Sequence, residues 1–132
     1  MNNKGFTLIE LVATIGLLAV ISIISYVSIN KVLIESKISD CEQLVMSIKS
    51  AAKDYISDNR YNLTSNSNVE INALYLINNK YLTGPIVDPF NKTEITDDGL
   101  KNIKIIVELN PDYAVKKINI EAPSFLIDGK CE

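Results

Sequence analysis

The apolar residues of this chain follow three patterns, and each pattern predicts a different element. The first is a continuous run from Leu11 to Ile29, which carries no charged residue and is rich in Leu, Ile, Val and Ala. About 19 helical residues rise roughly 28 Å, close to the thickness of the hydrocarbon core of a bilayer. The run therefore predicts a helix that is long enough to cross a membrane.

The second pattern is an apolar stripe at helical spacing over residues 31–58, a segment without Gly or Pro. Steps of four and three residues alternate along the stripe, whose members are Ile34, Ile38, Cys41, Val45, Ile48, Ala52 and Tyr55. Together with the run, the stripe predicts one helix over about residues 6–58. A coiled coil would also use such a stripe. Packing against the chain's own C-terminal domain is favoured, because that domain needs a partner surface.

The third pattern is a set of short apolar segments in the C-terminal half. Residues Val69 to Tyr81 predict a short second helix, and residues 84–99 predict an ordered loop. Alternating apolar and polar positions at 103–108 and 115–121 predict two antiparallel strands. The turn residues Asn110-Pro111-Asp112 separate these strands.

Together these elements predict an α+β fold, in which one long N-terminal helix is packed by a short second helix and a small antiparallel sheet. Residues Phe125 to Ile127 are expected to add a short third strand. A chain of 132 residues allows one globular domain at most beside the apolar helix.

Composition removes several classes of function. The net charge of −3, without a cluster of Lys or Arg, argues against nucleic acid as the main partner. The absence of His removes the commonest general base and the commonest metal ligand. No Ser or Thr has a visible base that would make it a nucleophile. The sequence therefore predicts a protein that is not an enzyme, and it implies no cofactor.

A removable signal peptide is the first alternative explanation of the apolar run. Its basic flank would be the single Lys4, and residues Ser25 to Asn30 offer no Ala-x-Ala-like cleavage site. Helical patterning also continues past the run. A segment that stays in the protein is therefore favoured.

Residues 4–10 read Lys-Gly-Phe-Thr-Leu-Ile-Glu and lead directly into the apolar run. This N-terminus, over roughly residues 4–30, resembles that of type IV prepilins and type II secretion pseudopilins. The resemblance implies that a prepilin peptidase cuts between Gly5 and Phe6 and then methylates the new amino group of Phe6. It also makes Glu10 the acidic residue at the fifth position of the mature chain.

The resemblance further implies a pilin-like fold and a structural role. The chain would comprise a cytoplasmic leader peptide over residues 1–5, a transmembrane and filament-core helix over 6–30, an amphipathic continuation over 31–60 and a small globular domain over 61–132. It would be a single-pass membrane protein with a cytoplasmic N-terminus, and after assembly it would belong to a cell-surface filament. The implied partners are a prepilin peptidase, like subunits and other pilins, an assembly platform membrane protein and membrane lipid.

Glu10 is an unusual residue for an apolar helix, since a carboxylate costs on the order of 2.5–3.5 kcal/mol at the bilayer centre and less near its edge. After cleavage, the amine of Phe6 would be a cation at neutral pH. The residues alone leave open whether Glu10 lies at headgroup depth, pairs with its own amine or pairs with the amine of a neighbouring subunit. The resemblance favours the intermolecular pair and therefore a role of Glu10 in assembly.

Cys41 and Cys131 are the only cysteines, and they lack the spacing of a zinc or redox motif. Their even number, in a domain that is expected outside the membrane, predicts one disulfide. The alternative is a buried free thiol at Cys41 and an exposed thiol at Cys131.

Asp88, Asp97 and Asp98 are weak candidates for a calcium site. The Asp-Asp-Gly sequence that contains two of them is ordinary turn chemistry. No metal site is therefore predicted.

Two functions from different classes are consistent with these features. The first is a structural subunit of an extracytoplasmic filament, either a pilus or a pseudopilus for secretion or DNA uptake. The second is a single-pass membrane protein that presents a small binding domain and never polymerises. The cleavage motif and Glu10 favour the first. Val27 stands at a position where pilins often carry Pro. Many minor pilins and pseudopilins lack this Pro, as this chain does. The resemblance therefore does not favour a role as the major subunit of a filament.

Overall fold

The computed structural model describes residues 5–131 of the chain. In chain order its elements are α1 (Leu8–Asp58), a 3₁₀ turn (Arg60–Asn62), β1 (Asn68–Asn72), α2 (Ala73–Asn78), α3 (Asp97–Asn102), β2 (Lys104–Leu109) and β3 (Val115–Glu121). The predicted α+β fold is confirmed, with one long N-terminal helix, short helices and a three-stranded antiparallel sheet. The described chain divides into two compact units between Ser36 and Lys37, inside α1.

The first unit contains the apolar run, and its side chains are not covered by other parts of the described chain. Every large apolar side chain from Phe6 to Ile34 is at least 50% exposed. By length and composition the helix could cross a membrane. Four hydroxyl groups along it donate hydrogen bonds of 2.7–3.0 Å to the carbonyl oxygens four residues earlier, those of Thr14, Ser22, Ser25 and Ser28. These hydroxyl groups therefore need no water as an acceptor.

In the second unit, α1 contributes five of the seven members of the predicted stripe to a single hydrophobic core. Cys41, Ile48 and Ala52 are fully buried, and Val45 and Tyr55 are half-buried. The stripe therefore packs within the chain's own domain, as favoured from the sequence. The first member of the stripe, Ile34, lies in the first unit and is 59% exposed.

The sheet has one apolar and one charged face. β2 is the central strand and pairs antiparallel with β1 and β3. Ile71, Ile105 and Ile120 pair across the three strands, and all three are buried in the core. On the opposite face, Nζ of Lys104 lies 3.6 Å from Oε1 of Glu70. One face thus packs on the core and the other meets water, as is common for antiparallel sheets.

The predicted second helix, Val69 to Tyr81, is wrong over residues 69–72, which belong to β1. Val69 and Ile71 alternate with polar neighbours, and a period of two suits a strand. α2 follows directly, because the side chain of Asn72 accepts a hydrogen bond from the backbone N–H of Tyr75 at 2.8 Å. This side chain caps the helix and marks the end of the strand.

The predicted third strand at residues 125–127 is also wrong, and β1 supplies the third strand instead. Phe125 and Leu126 are buried, but their backbone N–H groups donate to the carbonyl oxygen of Ala122 at 3.2 and 2.8 Å. These bonds close a turn, and so the segment does not extend along the sheet.

The predicted loop over residues 84–99 is ordered, but α3 begins inside it. Oγ1 of Thr96 accepts a hydrogen bond of 3.3 Å from the backbone N–H of Gly99 and caps this helix. An antiparallel bridge between Val87 and Glu94 joins the two sides of the loop. The Asp-Asp-Gly sequence therefore starts a helix and is not a free turn.

Three tyrosines form a polar edge of the core. The ring of Tyr55 packs edge-on against those of Tyr75 and Tyr81, with centroids 5.5 and 5.6 Å apart. Burial, together with a hydrogen bond to Tyr75, raises the pKa of Tyr55 above its ordinary value of 10.0. Burial also raises the pKa of Tyr81, with the carboxyl group of Asp58 as the second cause. The fold therefore favours the neutral form of both phenols.

Candidate functional site

Thr7 and Glu10 form a capping box at the start of α1. The backbone N–H of Thr7 donates to Oε2 of Glu10 at 2.9 Å, and the backbone N–H of Glu10 donates to Oγ1 of Thr7 at 3.3 Å. The carbonyl oxygen of Thr7 accepts from the N–H of Leu11 at 3.1 Å. N–H groups at a helix start have no partner within the helix, and this pair of side chains satisfies two backbone donors at that end.

The carboxylate of Glu10 therefore has a hydrogen-bond partner within its own chain, the backbone N–H of Thr7. This contact was not among the three alternatives that the sequence left open, which are a position at headgroup depth, a pair with its own amine and a pair with the amine of a neighbouring subunit. Glu10 also lies in the first turn of α1, where the helix dipole favours a negative charge. Thr7 is a residue that the sequence interpretation missed. The signal was present, because Thr-x-x-Glu directly before an apolar run is the pattern of a capping box.

Gly5 and Phe6 precede α1 and lie outside any helix or strand. Phe6 is 89% exposed, and a Cβ atom added at Gly5 would meet no atom within 4 Å. The peptide bond between them is therefore not enclosed by other residues of the described chain. Lys4 and the rest of the predicted leader lie outside the described residues.

Cys41 and Cys131 are joined by a disulfide, with their Cα atoms 5.9 Å apart. Cys41 is fully buried on α1, and Cys131 is half-buried at the end of the described chain. The bond closes a loop with a sequence separation of 90. The predicted pairing is thus present in the structure, and no thiol is free among residues 5–131.

The three calcium candidates have local roles. Asp88 is only 3% exposed, and its Oδ1 accepts hydrogen bonds from the backbone N–H groups of Phe90 and Asn91 at 2.8 and 3.1 Å. Asp97 and Asp98 lie in the first turn of α3. Within residues 5–131, no group of three His, Cys, Asp or Glu side chains is arranged to hold a metal ion.

Comparison with known proteins concerns the N-terminal segment. Residues 1–26 match the family model of the prokaryotic N-terminal methylation motif. No curated protein and no solved structure matches the chain significantly. The match covers the capping box and most of the apolar run, and it confirms the resemblance that residues 4–10 indicate. The first 26 residues of this chain therefore carry the prepilin-type signature.

Proposed function

We propose that this chain is the membrane-held precursor of a filament subunit, a pilin or pseudopilin. A prepilin peptidase cuts it between Gly5 and Phe6 and methylates the amino group of Phe6. The mature chain is then assembled with like subunits and other pilins. The observation that carries this proposal is the methylation motif over residues 1–26, which runs into an apolar helix with exposed side chains.

The first unit supports this order of events. Its large apolar side chains are exposed, and in water this would be a strong liability. A bilayer covers such side chains before assembly, and the helices of other subunits cover them afterwards. The partners are thus membrane lipid first, then an assembly platform membrane protein and the neighbouring subunits.

The proposed organisation follows from the position of the cut. Residues 1–5 are a cytoplasmic leader, residues 6–30 cross the membrane and later form the filament core, residues 31–60 continue the helix, and residues 61–132 form the extracytoplasmic domain. The chain is a single-pass membrane protein with a cytoplasmic N-terminus before assembly, and part of a cell-surface filament after it.

Glu10 serves two roles in this proposal. Before cleavage its carboxylate accepts a hydrogen bond from Thr7 and caps the helix. After cleavage the amine of Phe6 is a cation, and the carboxylate can pair with the amine of a neighbouring subunit. A glutamine at this position would keep the capping acceptor and lose the charge, and so the two roles can be separated.

The processing step is tested by the mass of the mature N-terminus when the chain is expressed with and without a prepilin peptidase. We expect a chain that begins with N-methylated Phe6 only when the peptidase is present. Gly5→Val should block processing, and Gly16→Ala, a change in open space on α1, should not. An intact Met1 in filament material would contradict the proposal.

The assembly step is tested with Glu10→Gln, Glu10→Ala and Thr7→Ala, by membrane fractionation and by recovery of the chain in sheared filaments. We expect all three variants to insert in the membrane. Both Glu10 variants should be recovered in filaments at a level at least about tenfold lower than the wild type, because the amine of the neighbour then lacks its charge partner. Thr7→Ala should be recovered at a nearly normal level.

Normal recovery of Glu10→Gln would contradict the charge pairing, and low recovery of Glu10→Ala beside it would assign the effect to the cap. A wild-type chain that is cleaved but never enters filaments would instead identify a membrane protein that presents a binding domain without polymerising.

A further inference from the structure

The two sulfur atoms of the disulfide differ in their access to solvent. Cys41 is fully buried, and its Sγ lies 3.8 Å from the carbonyl oxygen of Phe125. The C-terminal tail, residues 122–131 after β3, thus covers this sulfur atom. Cys131 is half-buried and lines a cavity of about 520 Å³. The other residues around this cavity are Glu42, Val45, Met46, Gly129 and Lys130. Cys41 is not among them, and so space for an incoming group lies beside Cys131 and not beside its partner.

A tight turn brings Cys131 to this position. Ile127 and Lys130 exchange both of their backbone hydrogen bonds at 3.0 Å. Asp128 and Gly129, between them, have φ angles of 51° and 76°. Positive φ at both central residues is typical of a type I′ turn, for which Asp-Gly is a favoured sequence. The turn reverses the chain and returns residue 131 to α1.

We propose that Cys131 is the entry thiol through which a protein dithiol oxidant, in its disulfide form, installs this bond, and that Cys41 is the resolving thiol. Disulfide exchange requires access of the thiolate to a sulfur of the oxidant. Cys131 has that access, whereas Cys41 lies beneath the tail. The location of the oxidant outside the membrane rests on the proposed function, but the order of the two thiols does not depend on filament assembly.

The reaction consists of two exchange steps. The thiolate of Cys131 attacks one sulfur of the oxidant, forms an S–S bond with it and expels the oxidant's other sulfur as a thiolate. The thiolate of Cys41 then attacks Sγ of Cys131 and expels the remaining sulfur of the oxidant. The chain loses two electrons and two protons, and the oxidant leaves as a dithiol.

The position of Cys131 adds an order in time to this order of attack. It follows Cys41 by 90 residues. The two thiols cannot meet until the whole segment between them has reached the compartment of the oxidant. Formation of the bond therefore follows export of this segment.

The test uses the full-length chain in detergent micelles, reduced and then freed of reductant, with glutathione disulfide as the oxidant probe. Cys41→Ser and Cys131→Ser each keep one thiol, and acid-quenched samples are followed by intact mass. We expect Cys41→Ser to acquire one glutathione at least about tenfold faster than Cys131→Ser. In urea, where the tail no longer covers Cys41, the two rates should become equal. Equal rates in native buffer, or faster reaction at Cys41, would overturn the proposal.

The turn is tested separately, because entry and closure are different steps. A Cβ atom at Gly129 would meet no atom within 4 Å, so Gly129→Ala adds only the cost of a positive φ. In a chain with both cysteines, this variant should react with glutathione disulfide at the wild-type rate. Closure of the adduct to the disulfide should slow by about fivefold or more, as a left-handed conformation costs alanine about 1–2 kcal/mol. Unchanged closure, or slower entry, would contradict a positioning role of the turn.

Discussion

Loss of the disulfide should lower the free energy of unfolding of the second unit by about 4–5 kcal/mol. In the chain-entropy model the effect of a bond grows with the logarithm of the loop length, and the sequence separation of 90 corresponds to about 4.6 kcal/mol at 25 °C. Single domains are stable by about 5–15 kcal/mol, so this is a large fraction. Cys131→Ser is the better variant, because a hydroxyl at the fully buried Cys41 would add a desolvation cost.

The assay is urea unfolding of the full-length chain in micelles, followed by tyrosine fluorescence because the chain contains no Trp. Extrapolated free energies are compared and not midpoints, since loss of a cross-link also changes the slope of the transition. Reductant should move the wild type to the curve of Cys131→Ser and leave that variant unchanged. A difference of less than about 1 kcal/mol between the variant and the oxidised wild type would refute the loop-entropy argument.

Two further predictions concern the core of the second unit. Ile105→Ala should lower the free energy of unfolding by about 2–5 kcal/mol, because its side chain is fully buried. Ile106→Ala, on the other face of β2, should lower it by under about 1 kcal/mol. Equal losses for the two variants in urea unfolding would contradict the assigned strand faces. Alkaline pH should destabilise the second unit, because burial in the fold raises the pKa of Tyr55 and Tyr81 above 10.0. The contribution of the two neutral phenols to the free energy of unfolding is complete below pH 10 and is lost as the pH rises through the raised pKa values. Ultraviolet titration should show two tyrosines whose ionisation is delayed in native buffer and loses this delay in urea. Identical titration curves in native buffer and in urea would contradict this prediction.

The long helix and two of the three strands could be predicted because local and long-range signals agree there. Residues 31–58 lack both Gly and Pro and carry a stripe that a domain can bury. β1 could not be separated from α2 in the same way. Val69 and Ile71 supply only two inward positions, and the apolar residues at 74–77 continue the pattern into the helix. What decides between them is pairing with β2, which lies more than 30 residues away in the sequence.

The candidate site was predictable in its chemistry but not in its contacts. Glu10 stands out because a carboxylate in an apolar run is costly, and the cysteines stand out because there are only two. The Thr-x-x-Glu pattern signals the bond between Glu10 and the backbone of Thr7, but the bond forms only where the helix starts beside it, and helix ends are poorly determined by sequence patterns. The turn at Asp128 and Gly129 was visible as a dipeptide, but its effect on the C-terminal cysteine requires the tail's path over the core.

The disulfide also determines how the second unit responds to a pulling force. Tension applied between α1 before Cys41 and the C-terminus passes through the S–S bond, because the bond joins both ends of the loop. All three strands lie within that loop, and so such a pull does not unravel the sheet while the bond is intact. Without the bond, the same residues could release about 300 Å of extended chain. A chain held at its N-terminal helix therefore keeps the length of its second unit under load while the bond is intact.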